Sequence, residues 1–307
     1  MSNDGNSIMI SFCLPVFNVE NYISQCLDSI LNQGLSAFEI ICIDDCSSDG
    51  SYEVLELLKK RIPELRVYRN DKNCGVSYSR NRALMHSNGK YIWFVDPDDL
   101  LAPGSAKLYL DSIENVSGEV LLGKSLVFND GETPGTVQGT DNTVRVDFSD
   151  INGFYQQVSV GCWAGLFRRD FLIDNKLFFR ENLKVFEDIT FYMEFGLRGE
   201  HIYRIDHYGY CYRNRKASLS HRYDDTQLKL YVDQSFVVLD IFSDCLNAKE
   251  KKYHHTISQH AAWIEQTTIL RMLRIQDVQY VRQTMKKLKK MKYYPYKHDP
   301  EIKLLKL

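Results

Sequence analysis

Apolar positions along the first hundred residues follow two alternating rhythms. Unbroken apolar runs at 8–15 (IMISFCLP), 38–43 (FEIICI), 65–68 and 90–95 (KYIWFV) are too short for helices and read as buried strands. Between them lie stretches of helical spacing. One spans 18–33, with apolar Val19, Tyr22, Ile23, Cys26, Leu27, Ile30 and Leu31 and with Asn18 as its cap; the others span 51–61, after the turn-rich SSDG, and 77–87. Strand and helix alternating at this spacing predict an α/β fold, a Rossmann-like, mostly parallel sheet flanked by helices. Beyond residue 100 the pattern loosens. It predicts helices at 108–115, 163–173 and 186–198, strands at 119–128 and 203–212, and an exposed loop at 129–142. Residues 225–292 read as helices, with LKLYVDQSFVVLDIF the most periodic stretch. The expected organisation is an α/β domain over 1–224, with halves at 8–103 and 104–224, and a helical C-terminal extension over 225–307.

Composition sharpens this in two places. Among 307 residues, 44% are hydrophobic and 25% charged, so the chain can bury a sizeable core. The net charge of -2 gives no reason to expect a nucleic-acid partner, but it hides an asymmetry. From Arg271 onward there are eleven basic and three acidic residues, which leaves 27 basic and 37 acidic residues before that point. The basic stretch 281–292 (VRQTMKKLKKMK) interleaves apolar Val281, Met285, Leu288 and Met291 at helical spacing. It offers either a contact for an anionic membrane surface or a basic face packed on the acidic body. The eight cysteines include no C-x-x-C pair and several sit in apolar runs, which leads us to expect reduced thiols and a cytoplasmic protein. The polar MSNDGNS start does not read as a signal peptide, and no apolar run approaches the ~18 residues of a membrane span.

The chemistry concentrates at predicted strand ends. Asp44 and Asp45 follow FEIICI directly, and Asp96, Asp98 and Asp99 follow KYIWFV directly. In a parallel sheet both clusters lie on the carboxyl edge, where such folds bind ligands. Crowded carboxylates repel one another, and a hard cation such as Mg²⁺ or Mn²⁺ relieves that cost. Taken singly, the same aspartates are ordinary turn formers. Arg80 and Arg82 lie on the helix after the Gly75 turn; Arg80 is offered to phosphates, whereas Arg82 reads as a solvated face.

Four blocks, ISFCLPVFNVENYISQCLDSILNQ, EIICIDDCSSDGS, NCGVSYSRNRAL and GKYIWFVDPDDLL, resemble in order and spacing the N-terminal half of family 2 glycosyltransferases. CWAGLFRRDF, FEDITF and YRNRKASLS extend the resemblance more weakly. It implies an A-type nucleotide-sugar-binding fold and transfer of a sugar, with inversion, from a UDP-sugar to a hydroxyl of a glycan or lipid-linked acceptor, as in surface polysaccharide assembly. Residue by residue, it implies that Pro15 and Phe17 line the base pocket, with Phe17 where the family usually has Tyr. Asp45 would accept from uracil, and Arg80 would lie near base and diphosphate. Asp96 would face ribose and metal, and Asp98 would hold the divalent cation. Glu187 and Asp188 match the catalytic acidic pair, with Asp188 the general base; Arg213 or His221 would reach the diphosphate. Two departures stand out: Cys46 replaces a usual glycine, and Gly165 replaces a common lysine, so no acceptor contact is carried over there.

Two other functions share some of these features. A nucleotide-sugar-binding protein needs no base, and Glu187-Asp188 speaks against it. A nucleotidyltransferase normally carries a glycine-rich basic loop where this chain has LPVFNVEN. A dinucleotide-binding dehydrogenase is excluded, because no G-x-G-x-x-G follows the first strand.

Overall fold

The computed structural model describes residues 7–136, 139–148, 161–215 and 224–290. The chain forms two compact units, Met1–Asp147 with Asn152–Arg215, and Phe148–Ile151 with Lys216–Leu307.

The larger unit is built on a nine-stranded sheet. Its first half is parallel. Strand β1 (Ile10–Val16) lies between β2 (Phe38–Asp44) and β4 (Tyr91–Phe94), and β3 (Leu65–Arg69) pairs with β2. Helices α1 (Ile23–Leu31), α2 (Ser51–Leu58) and α3 (Val76–His86) make the connections. Phe12, Leu14, Val16, Ile40, Trp93 and α1's Ile23, Leu27 and Ile30 share one buried cluster, which fixes the helix to the sheet. Because β1, β2 and β4 run in parallel, Val16, Asp44 and Phe94 all end on one edge.

The second half is mixed. After the short β5 (Leu100–Leu101) come α4 (Ser105–Asn115), β6 (Val120–Asn129), β7 (Gly139–Arg145), β8 (Gly165–Arg168), α5 (Arg169–Asp174), α6 (Glu187–Gly196) and β9 (Ile202–Asn214). Strand β8 runs antiparallel to both β4 and β6; β9 is parallel to β6 and antiparallel to β5 and β7. The sheet is therefore mixed, with four parallel and four antiparallel pairings.

Three local expectations are corrected. The helix expected at 163–173 is a 3-10 turn (Cys162–Ala164), then β8, then the six-residue α5. Strand β8 lies so close to β6 that a Cβ on Gly165 would stand 1.9 Å from the Leu121 carbonyl oxygen, so no lysine fits there. Asn18 does not cap α1, which starts at Ile23. Asn18 instead sits at φ 53° and its side chain accepts from the Ser48 amide. The loop expected at 129–142 gives way to β7 at Gly139.

The smaller unit contains α7 (Asp225–Ala248), α8 (His254–Met272) and α9 (Val278–Lys290). Asp224 caps α7 by accepting from the Gln227 amide. Val281, Met285 and Leu288 of α9 pack with Leu228, Val232, Phe236, Met272 and Ile275. Val281, Met285 and Leu288 of the basic helix are thus engaged inside this unit, while Arg282, Lys286, Lys289 and Lys290 remain exposed and Met291 lies outside the described residues. Among the described residues no helix is long and apolar enough to cross a membrane.

Candidate active site

The carboxyl edge of β1 and β2 is stitched by side chains that take up loop amides. The Asn18 amide donates to Ser47 Oγ (3.1 Å), Val19 to Ser51 Oγ (2.8 Å) and Gly50 to Glu20 Oε2 (2.7 Å). Asp44 is buried against Arg69 (3.1 Å). Asp45, 3% exposed, accepts from Asn70 Nδ2 (2.6 Å) and the Cys74 amide (2.8 Å) on one oxygen and from the Gly75 amide (2.7 Å) on the other. A carboxylate has about four acceptor positions, so one remains. Asp45 therefore shapes the turn that opens α3. Cys46 beside it has φ 61°, the left-handed region that explains the family's glycine there. Pro15 is buried within β1, whereas the Phe17 ring, two residues on, is 46% exposed at the edge.

Arg80 joins the two halves of the site. Only 4% exposed, its guanidinium donates to Asp96 Oδ1 (2.8 Å) and to Glu187 Oε1 (3.1 Å), while its Nε is buried without a hydrogen-bond partner. Asp96 follows β4, and Glu187 and Asp188 form the first turn of α6. Helix α6 is held there by aromatic packing: Phe191 stacks on Phe179 at 4.2 Å and meets Phe94 of β4 edge-on at 6.0 Å. The residue preceding the helix, Phe186, has φ 66°, so the chain turns sharply just before the acidic pair. Burial, reinforced by the Glu187 charge, pushes the Asp188 carboxyl up to about 7, against the opposing pull of Arg80.

The segment Asp96–Asp99 is pinned from β9. Tyr210 Oη accepts from the Asp96 amide (3.0 Å) and donates to Asp99 Oδ2 (2.8 Å), and the Arg213 amide donates to Asp99 Oδ1 (2.7 Å). Asp99 is fully buried; burial, then Asp98 and Asp96, raises its carboxyl well above the usual range. Trp163 stacks on Tyr210 at 4.6 Å and its carbonyl accepts from Trp93 Nε1 (2.8 Å), so the turn before β8 braces the same segment. Asp98 pairs with Arg215, and its carboxyl is raised by burial and by Asp96, with Arg215 opposing.

The structure thus brings Arg80, Asp96, Glu187 and Asp188 together directly, with Asp98 two residues from Asp96. Asp45, Pro15 and Phe17 lie at the neighbouring strand ends. Arg213 does not point to a ligand: its guanidinium is spent on the Asp98 carbonyl (2.7 Å), Gln25 (2.9 Å) and Asp130 (3.5 Å). Arg82 is no solvated face either; it donates to the Arg69 carbonyl (2.8 Å) and to Asn70 Oδ1 (2.6 Å). His221 lies outside the described residues. Arg215, Tyr210, Trp163 and Asn70 escaped the sequence reading. For Arg215 a signal existed, since it stands two residues from Arg213 in YRNR at the end of a strand.

Among the described residues no three His, Cys, Asp or Glu side chains form a metal cage. Two carboxylates, Asp96 and Asp98, are nonetheless the protein share that Mg²⁺ or Mn²⁺ usually takes when a diphosphate and water complete the shell. In donor chemistry the residues fit such a cation.

The chain is 32% identical over 206 residues to the poly(ribitol-phosphate) beta-glucosyltransferase of Bacillus spizizenii, covering 66% of this chain and 32% of that protein. It is 32% identical to the poly(ribitol-phosphate) beta-N-acetylglucosaminyltransferase TarP of Staphylococcus aureus, covering 61% of this chain and 57% of that one. The crystal structure of S. aureus TarS 1-349 in complex with UDP-GlcNAc superposes with a TM-score of 0.67 at 25% identity, over 84% of this chain and 71% of that one. The chain thus spans about a third of the glucosyltransferase and a little over half of TarP. Glycosyl transferase family 2 matches over residues 11–175, which is more than half of the sequence and holds β1 from its second residue, β2 to β4, Asp45, Arg80, Asp96 and Asp98, and the chain belongs to that family.

Proposed function

We propose that this protein transfers a sugar from a UDP-sugar to a hydroxyl group of a cell-surface polymer or its lipid-linked precursor, with inversion at the anomeric carbon. The observation that carries the reading is the Arg80 bridge between Asp96 and Glu187, which sets Asp188 beside the donor carboxylates. UDP-GlcNAc in the related TarS structure supports the donor class, and the polymer-modifying relatives support the acceptor class.

Asp45, Phe17 and Arg80 hold the nucleotide: Asp45 offers its remaining acceptor position to the uracil N–H, Phe17 its exposed ring, and Arg80 its unpartnered Nε–H. Asp188, its carboxyl near 7, takes the acceptor proton. The acceptor oxygen forms a bond to the anomeric carbon as the bond to the diphosphate oxygen breaks; the electron pair departs on UDP. Asp96 and Asp98 would hold Mg²⁺ or Mn²⁺, which neutralises charge on the leaving diphosphate. No side chain is needed as a nucleophile, so an α-linked donor gives a β-linked product.

Incubation with UDP-sugars and a panel of polymer acceptors tests this. Release of UDP together with a product whose anomeric proton coupling shows inversion is expected; retention of configuration would refute the mechanism. In the same reading the exposed Arg282, Lys286, Lys289 and Lys290 meet anionic headgroups electrostatically at the inner membrane face, without inserting the buried stripe of α9. Co-sedimentation with anionic vesicles that vanishes in 0.5 M salt is the expected sign, and absence of binding at low salt would exclude the contact.

A further inference from the structure

We propose that Arg215 is a charge-exchange residue: it neutralises Asp98 while the site lacks donor and moves to the donor's diphosphate when nucleotide and cation arrive. The inference rests on the donor and cation reading above and goes beyond it by naming a residue and a coupling.

Three features of the site lead there. First, Asp98 is crowded by Asp96, and the larger part of its countercharge comes from Arg215, which forms an ion pair with its Oδ2, with Arg213 a lesser contributor. A cation bound by Asp96 and Asp98 would meet that guanidinium as a like charge at contact range, so the two compete for one carboxylate. Second, Arg215 keeps hydrogen-bonding capacity in reserve. Its Nε is buried and has no hydrogen-bond partner, an arrangement that costs free energy until an acceptor appears. Arg213, on the same strand end, contrasts with it: its guanidinium is committed to the Asp98 carbonyl, Gln25 and Asp130. Third, Arg215 rests on a prepared surface. Its guanidinium lies 4.9 Å above the ring of Tyr22, whose hydroxyl is fixed by Asp130 at 2.9 Å and whose ring also carries Arg213 at 5.2 Å. A planar guanidinium can slide over such a ring while keeping its attraction to the ring face. A diphosphate can accept from two guanidinium N–H groups at once, replacing the one contact that Arg215 would give up in leaving Asp98.

The coupling predicts changes of opposite sign, which a merely structural arginine would not give. In the full-length Arg215→Met protein, Mn²⁺ alone should bind at least several-fold more tightly than to the parent, because its competitor for Asp98 is gone. UDP with saturating Mn²⁺ should bind about tenfold or more weakly, the scale of one charge-assisted hydrogen bond. Calorimetry of Mn²⁺ alone, of UDP with Mn²⁺, and of UDP with chelator reads all three terms. Mn²⁺ and UDP affinities that fall together would mean that Arg215 only holds the loop, and would overturn the proposal, as would no change in either. If parent and variant both fail to bind Mn²⁺ with or without UDP, the cation reading of Asp96 and Asp98 falls, and with it the exchange. The UDP-with-chelator titration then still shows, by loss or no loss in the variant, whether Arg215 meets the diphosphate. Should Arg215→Met fold poorly, Arg215→Lys keeps the charge on Tyr22 but loses the fork, and the same two shifts are expected at smaller size.

Discussion

At the scale of single residues, the site depends on one carboxylate held away from its ordinary behaviour and another with three of its acceptor positions already taken. Asp188 in the fold is raised to about 7 by burial and Glu187, so its charged form is the disfavoured one. The penalty is absent below about pH 4, where the unfolded residue is protonated, grows as pH rises, and is complete above about 7. Asp188→Asn should accordingly melt higher than the parent at pH 8 and nearly level with it at pH 4, as thermal denaturation at the two pH values would show. The same variant should lose transfer by a factor on the order of 10² or more with donor binding near normal, and parent kcat/KM should climb with pH and level off above about 7. Equal melting at pH 8 would show that Asp188 is not strained by its charge. Asp45 behaves differently, because its oxygens already accept from Asn70, Cys74 and Gly75. An amide there turns an N–H toward another N–H, so Asp45→Asn should both destabilise the fold and weaken UDP by about 1.5–3 kcal/mol. Denaturant melts and UDP titration read the two losses; a UDP loss without any loss of stability would separate the uracil role from the turn. Asp45, Asp96, Asp98 and the acidic pair were legible because they follow apolar runs directly or stand in recognisable blocks. The second task of Asp45 was not, since its partners lie up to thirty residues away and only the closed turn reveals them.

At the scale of elements, what the sequence showed and what it hid divide by length and by direction. The runs 8–15, 38–43 and 90–95 that became β1, β2 and β4 are unbroken and too short for helices, and α1 after the first of them carries a full amphipathic stripe. Strand β8 has four residues, and Trp163, Leu166 and Phe167 satisfy helical spacing as well as they fit a strand that short. Its identity is decided by contact: Gly165 passes the Leu121 carbonyl so closely that only a residue without Cβ is admitted. The turn after β2 makes the converse case. Cys46 occupies φ 61° where a glycine would be unstrained. Relief of left-handed strain is about 1–2 kcal/mol, and the extra freedom of glycine in the unfolded chain returns about 0.4–1 kcal/mol. Cys46→Gly should therefore stabilise the protein by roughly 0.5–1 kcal/mol, measured as a rise in urea midpoint at unchanged slope. A fall in midpoint would mean that the Cys46 side chain contributes packing that outweighs its backbone strain.

At the scale of the whole molecule, the alternation of strands and helices announces a Rossmann-like half but says nothing about which way later strands enter the sheet. Strand β8 enters antiparallel to β4 behind the turn that carries Trp163, and β9, antiparallel to β5, carries Tyr210, whose hydroxyl meets the Asp96 amide while its ring stacks on Trp163. The site is therefore assembled across the larger unit. Asp45 and Asp96 come from its first half, Glu187, Asp188 and Arg215 from its second, and Arg80 ties the halves together. The smaller unit has a hydrophobic cluster of its own, centred on Leu228, Val232, Phe236 and Met272. A chain with two such cores need not melt in one step. A ligand that binds the native larger unit stabilises it by RT ln(1 + [L]/Kd), about 2.7 kcal/mol at a hundredfold excess over Kd. Scanning calorimetry with UDP and Mn²⁺ should therefore raise the transition of the larger unit and leave that of the smaller unit where it was. Asp98→Ala should abolish the part of the shift that depends on Mn²⁺, because one of the two carboxylates proposed to hold the cation is gone, while the smaller unit's transition again stays fixed. A shift of both transitions by the same amount would show instead that the two units unfold as one and that the nucleotide stabilises the entire chain.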